Sequence, residues 1–214
     1  MLDPASLVEQ LNQNFARFDR IVEANRLETL KIIGDAYMCV GGVPEPNRTH
    51  AIDACPAALQ MQKFLRDGNR DRERLHLAPW ELRIGIRTGS LVAGIVGTHR
   101  LTYDVWGNTA NVAQRLQEAC DIVGTHRLTY DVWGNTANVA QRLQEACEPG
   151  RINVAGSTFH QVATRFETEP RGRIEVKHVE PIEMYFLNRI RPDLTADAEG
   201  CLPNDRFWNA SGLG

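Results

Sequence analysis

The stretch Ile95–Cys120 returns without one difference as Ile122–Cys147, and this repeat limits the possible folds more than any other feature of the chain. Each copy holds an aromatic arm, Tyr103-Asp104-Val105-Trp106 in the first, then a Gly107-Asn108 break and a helical run. Asn108 suits a helix N-cap, because its short side-chain oxygen accepts from the orphan N–H groups of the first turn. Beyond it Val112, Leu116 and Ala119 recur at helical spacing as an apolar stripe, with Asn111 and Arg115 on the stripe beside it. The second copy carries the same set as Asp131, Asn138 and Arg142. A sheet has one place for such an arm and one groove for such a helix, so only one copy is expected to be seated.

The flanking sequence reads as helices and hairpins in turn. Leu7, Val8, Leu11, Phe15, Phe18 and Val22 share one face, which predicts an amphipathic helix from Leu7 to Arg26. Leu27–Ile33 and Ala36–Val40 are β-rich runs around Gly34-Asp35 and predict an antiparallel hairpin. A second helix is predicted over His50–Arg66, with Pro56 making it begin late or kink, and Asp67–Arg74 reads as a surface connection. Glu81–Ile86 and Leu91–Val96, either side of Thr88-Gly89-Ser90, predict a second hairpin. After the stop Glu148-Pro149-Gly150 come a strand at Arg151–Ala155, a Ser/Thr-capped helix at Ser157–Arg165, and strands near Arg173–Lys177 and Glu183–Asn188. This order predicts an α+β fold with a largely antiparallel sheet covered by helices. One domain is expected over residues 1–190, and an irregular tail over 191–214.

A net charge of −3 and a pI near 6.1 argue against a nucleic-acid partner, which needs a basic face to release counterions. The five cysteines are odd in number and lack the close pairs of zinc or redox motifs, so a reducing, cytoplasmic compartment is expected. No run approaches the ~20 apolar residues of a membrane span, and the start Met1-Leu2-Asp3-Pro4 lacks signal-peptide order. Direct membrane contact is therefore not expected.

Taken singly, the polar residues have ordinary explanations. Asp35 suits a turn, Lys31 a solvated strand position, and Asn111 with Arg115 a polar helix face. Lys177 has no strong claim of its own. Lys31 and Asp35 are at most about 13 Å apart at ~3.3 Å per residue, roughly the distance from a nucleotide's base to its phosphates. Asp104 is harder to dismiss, because a carboxylate in a buried aromatic segment needs a partner.

Together and in order, Leu30–Met38, Arg83–Gly97 and Tyr103–Arg115 closely resemble the catalytic domain of class III nucleotidyl cyclases, over about Pro4 to Asn188. The resemblance implies a ferredoxin-like cyclase fold that converts ATP to 3′,5′-cyclic AMP and pyrophosphate. It implies that Asp35 holds one or both of two divalent ions, Mg2+ or Mn2+, since hard cations want carboxylate oxygen. It gives the ribose to Asn111 or its copy Asn138, and the charge on the reacting phosphate to Arg115 or Arg142, for which a fixed guanidinium fork suits. Lys177 would steady the terminal phosphates. Lys31 and Asp104, or its copy Asp131, would read the base. Adenine shows an acceptor at N1 and a donor at N6, guanine the reverse; Lys31 donates and Asp104 accepts, which fits adenine. Family sites are shared across a head-to-tail dimer, so a homodimer is implied.

Three departures qualify the resemblance. The family's domain opens on a strand whose Asp supplies the other metal ligand, and this chain starts after it. It reads as N-terminally truncated, and little turnover is expected from it alone, because one carboxylate cannot hold two dications against their repulsion. After Lys177, His178-Val179-Glu180 replaces the family's usual Gly-Lys-Gly. The third departure is the repeat. Looping out the second copy leaves the site and the dimer interface clear, and a longer loop costs only ~0.6 kcal/mol per doubling. The first copy is therefore the expected seat, with Val112 and Leu116 buried and Val139 and Leu143 largely exposed. An adenylate cyclase catalytic domain is the first reading; a cyclase-like module that no longer turns over, acting in dimerisation or regulation, is the second.

Overall fold

The computed structural model describes residues 4–89, 92–96, 102–106, 132–133, 143, 146–176 and 179–209. Helix α1 (Pro4–Ala24) buries Phe15, Phe18, Ile21 and Val22, the stripe that its periodicity marks. The Phe18 ring meets Tyr37 edge-on at 5.6 Å and Phe64 at 6.1 Å, so one side chain locks α1 to both elements that follow it. The chain turns out of α1 through Arg26 at φ 59°, and the Arg26 guanidinium pairs with the fully buried carboxylate of Asp53.

Strands β1 (Leu27–Ile33) and β2 (Ala36–Gly41) form the predicted antiparallel hairpin, from Leu27↔Gly41 to Ile33↔Ala36, with a bulge between Thr29 and Lys31. Gly34 at φ 62° supplies the left-handed turn that a side chain would resist.

Helix α2 spans His50–Arg74. It begins at His50, so Pro56 inside it does not delay its start, although the proline has no N–H to give to Ile52. One expectation is corrected: the helix runs through Asp67–Arg74 instead of ending at Arg66. That polar stretch stays helical through pairs one turn apart, Lys63 with Asp67, Asp67 with Arg70 and Asp71 with Arg74. The Arg72 guanidinium lies 5.1 Å over the Trp80 ring and donates to Gln10 of α1 at 2.6 Å.

Strand β3 is short, Ile84–Ile86, and its partner is not the one expected. It pairs in parallel with β7 (Ile152–Ala155), in a four-stranded sheet of order β3-β7-β9-β8, where β8 is Phe166–Val176 and β9 is Val179–Ile190. The segment expected to face it, β4 (Val92–Val96), pairs antiparallel with β5 (Thr102–Trp106), and β6 (Val132–Trp133) adds to β5 in parallel. An alternating run shows that a strand exists and says nothing about a partner far along the chain. The β8–β9 ladder is antiparallel and longer than predicted at both ends. Most pairings are antiparallel, as expected for this α+β fold.

Helix α3 (Gly156–Val162) starts directly off β7, with Ala155 at the N-cap and no side-chain cap. Ser157 and Thr158 thus fall inside the first turn and do not cap it. Thr158 is fully buried, and its hydroxyl reaches the Ile86 carbonyl at 3.4 Å. The main core lies between α1, α2 and one face of the four-stranded sheet, where Ile152, Val154 and Leu187 point. On the other face Leu143 packs with Ala155 and Met184 and is fully buried. The expectation that Leu143 stays exposed is therefore overturned: the apolar residues on that face need a cover, and Leu143 supplies it. Val112, Leu116 and Val139 lie outside the described residues. Beyond Arg191 the backbone has little regular structure apart from α4 (Asp205–Asn209), yet Leu194, Cys201 and Phe207 belong to the main core.

Candidate functional site

The β1–β2 hairpin carries two of the residues singled out above. Lys31 is half-buried on β1, immediately past the bulge and opposite Met38. Asp35 is exposed in the turn after Gly34. The backbone of Asp104 pairs with Gly94 in the β4–β5 ladder. The Asp104 side chain, and all of Asn111, Arg115, Asp131, Asn138, Arg142 and Lys177, lie outside what is described. Among the described residues the structure joins Lys31 and Asp35 on one hairpin.

Asp35 tests the fit of a divalent ion. Its carboxylate is the right donor for a hard cation, but among the described residues no group of three His, Cys, Asp or Glu side chains converges. Among the described residues Asp35 is thus one suitable donor and not a complete two-ion site.

Behind the hairpin, β2, α2 and β3 enclose a cavity of about 120 Å³, walled by Tyr37–Gly41 on one side and Ile84–Gly89 on the other. Arg87 lines it. Its Nε and Nη1 are buried without a partner among the described residues, and burial lowers its pKa. Sequence reasoning passed over Arg87, which looks like an ordinary charge at a strand end. On the core side of β2 the Tyr37 hydroxyl donates to Asp19 at 2.8 Å and lies 2.6 Å from the Thr29 hydroxyl. Burial, then the neighbouring charges of Cys39 and Asp19, hold this phenol protonated far above its ordinary range. The network therefore anchors the hairpin as neutral donors on one carboxylate.

The thiols around the cavity and the sheet are inert by the same physics. Burial, then the Asp19 charge, pushes Cys39 up to about 12, and burial pushes Cys147 up to about 11. From an ordinary value of 9.0, Cys39 loses about a thousandfold in thiolate. Iodoacetamide at pH 8, read by peptide mass, should label Cys39 and Cys147 far more slowly in the native protein than in urea; equal rates would contradict their raised pKa values. Both pKa values are raised on folding, so the thiols' contribution to stability is whole below pH 9 and is lost as pH climbs from 9 toward 12. Urea midpoints should fall across that window.

No helix among the described residues is long and apolar enough to cross a membrane. The pattern of the adenylate and guanylate cyclase catalytic domain matches residues 1–121 and again 117–189. An adenylate cyclase of Mycobacterium tuberculosis is 35% identical over 184 residues, 86% of this chain and 34% of that protein. The soluble guanylate cyclase gcy-34 of Caenorhabditis elegans is 31% identical over 188 residues, 87% of this chain and 23% of that one. The chain spans about a third of these relatives' length or less. Among solved structures, the guanylyl cyclase Cya2 superposes with a TM-score of 0.70 at 23% identity, covering 89% of this chain and 85% of its own. The adenylyl cyclase CyaB from P. aeruginosa gives 0.69 at 21% identity, covering 90% and 87%. At those identities the two structures establish the fold.

Proposed function

The chain belongs to the adenylate and guanylate cyclase catalytic domain family, and we propose that its substrate is ATP, which it converts to 3′,5′-cyclic AMP and pyrophosphate. The ribose 3′-oxygen forms a bond to the α-phosphorus as it loses its proton, and the bond from that phosphorus to the pyrophosphate oxygen breaks. Relatives of both base specificities match the chain, so the choice of ATP rests on hydrogen-bond polarity. The observation that carries it is Lys31, half-buried on a strand and pinned by the bulge before it. A lysine there offers only donors, which suits N1 of adenine, and Asp104 or Asp131 offers only acceptors, which suits its N6 amino group.

In the same reading Asn111 or Asn138 orients the ribose, and Arg115 or Arg142 stabilises the charge that builds on the α-phosphate. Lys177 holds the terminal phosphates. Mg2+ or Mn2+, carried in part by Asp35, would supply Lewis-acid chemistry when bound. The working unit is a homodimer that shares its sites, in a reducing, cytoplasmic setting.

Displacement of a fluorescent ATP analogue, together with chromatographic assay for cyclic product in Mn2+, tests this reading. ATP should displace the analogue at concentrations at least tenfold lower than GTP, and any cyclic product should form preferentially from ATP. GTP binding as tightly as ATP would overturn the base assignment.

A further inference from the structure

We infer that the second copy of the repeat, and not the first, supplies the helix seated on the sheet. It follows that Asn138 and Arg142 serve the nucleotide in place of Asn111 and Arg115. The seat rests on the packing of Leu143 and its short tether to β7; its consequence for the nucleotide rests on the reading of the site under Proposed function.

The four-stranded sheet has two apolar faces. The main core covers one. The other presents Ala155 of β7, Met184 and Ile182 of β9 and Ile174 of β8, with Ala155 opposite Met184 and Ile174 opposite Ile182. Among the described residues Leu143, helical in backbone and fully buried, closes this face, with Ala146 three positions on packed against the same cluster. Polar contacts fix the register. Asn153, fully buried on β7, donates through Nδ2 to the Leu143 carbonyl at 2.6 Å. Arg171 on β8 donates to the Ala146 carbonyl at 2.6 Å and lies 3.7 Å from the Glu148 carboxylate. The Cys147 thiol points to the Arg151 carbonyl at 3.4 Å, and the Gly150 N–H donates to Leu82 at 2.9 Å.

A volume that Leu143 fills with no exposed surface cannot also hold Leu116, so the repeat is resolved by exclusion at the helix. At the arm it is resolved by addition: Val132 and Trp133 of the second copy lie beside Val105 and Trp106 of the first, identical letters paired in parallel. The two copies are equal in sequence, so the contacts inside the seat cannot choose between them. The tether chooses. The second copy runs into β7 through the short turn at Glu148–Arg151, whereas the first would have to span the whole second copy to reach the same place. A short closure costs less chain entropy and holds the helix at a higher local concentration. In sequence Arg142 is bonded directly to Leu143 and Asn138 lies four residues before Arg142, so the copy that seats Leu143 is the copy that brings these two residues to that part of the sheet.

Two pairs of variants in the full chain test this. Leu143→Asp should lower the thermal midpoint by ~10 °C or more, because a charge enters a closed apolar site, and Leu116→Asp should lower it by less than ~3 °C. Should Leu143→Asp fail to fold, Leu143→Ala against Leu116→Ala keeps the comparison. Equal sensitivity, or greater sensitivity at Leu116, overturns the seat. Arg142→Ala should weaken binding of a fluorescent ATP analogue at least ~10-fold more than Arg115→Ala does. If the Leu pair behaves as expected and the two Arg variants bind alike, the seat stands and the role of Arg142 at the nucleotide falls. A larger loss from Arg115→Ala overturns the choice of copy at the nucleotide.

Discussion

Exchanging Lys31 for glutamate, together with Asp104 and Asp131 for cysteine, is expected to shift the preference for ATP over GTP by on the order of a hundredfold toward GTP. Lys31 lies between Leu30, which is buried, and Ile32, which is partly buried, on a strand whose bulge fixes where the lysine stem leaves the backbone. A hydrogen bond to a charged group is worth about 1.5–3 kcal/mol. Reversing two such contacts therefore exceeds the ~1.4 kcal/mol that makes a factor of ten. A site built to hydrogen-bond one edge rejects its opposite strongly, because the protein's own groups are left unpaired. For that reason Lys31→Glu alone should lose affinity for both nucleotides and gain selectivity for neither. Both aspartates are exchanged so that the outcome does not depend on which copy faces the base. The measurement is the ratio of affinities, or of kcat/KM, for ATP and GTP. An unchanged ratio in the triple variant would mean that other groups read the base.

What the sequence disclosed and what it hid divide along physical lines. Helix α1 and the β1–β2 hairpin were legible because each buries one face with a clean period and ends on a turn that only certain residues make. The last third of α2 was not, because Asp67–Arg74 has no apolar stripe; it is helical through charge pairs and through Arg72, whose reach to Gln10 and Trp80 no local pattern reveals. The partner of β3 was hidden because register is set by packing between distant strands. The candidate site shows the same split. Lys31 and Asp35 could be placed on one hairpin from their neighbours alone. The seated copy of the repeat could not be read from identical letters, and the argument from loop position left Leu143 exposed where the structure buries it. The short turn from Leu143 into β7 favours the second copy, and Asn153, Met184 and Arg171, unremarkable members of strands in the sequence, meet it there.

The tail gives the second large effect: Phe207→Ala should lower the thermal midpoint by about 10 °C. Composition after Arg191 suggests an appendage, but the ring of Phe207 is fully buried and meets Phe166 edge-on at 5.5 Å. Arg165 spans the contact, with its guanidinium 5.8 Å over the Phe207 ring and Nε donating to the Phe207 carbonyl at 3.3 Å. The loop that returns the chain to this place is built on Asp197. Burial opposes its charge, yet the Leu202 N–H, the Thr195 hydroxyl and the Cys201 N–H hold its carboxyl below the usual range. Next to Phe207, Trp208 lies under the Arg26 guanidinium at 4.8 Å, and Arg26 is the partner of buried Asp53. The tail therefore closes the corner where α1, β1 and α2 meet. Removing a buried phenylalanine costs about 3–5 kcal/mol, and at ~2–4 °C per kcal/mol for a chain of this size the midpoint should move by about 10 °C. Trp208→Ala, at a ring that is 38% exposed, should move it by only a few degrees. A melt in which Phe207→Ala shifts no more than Trp208→Ala would make the tail an attachment to the domain. The expected difference makes it part of the core on which the β1–β2 hairpin, and Lys31 with it, is held.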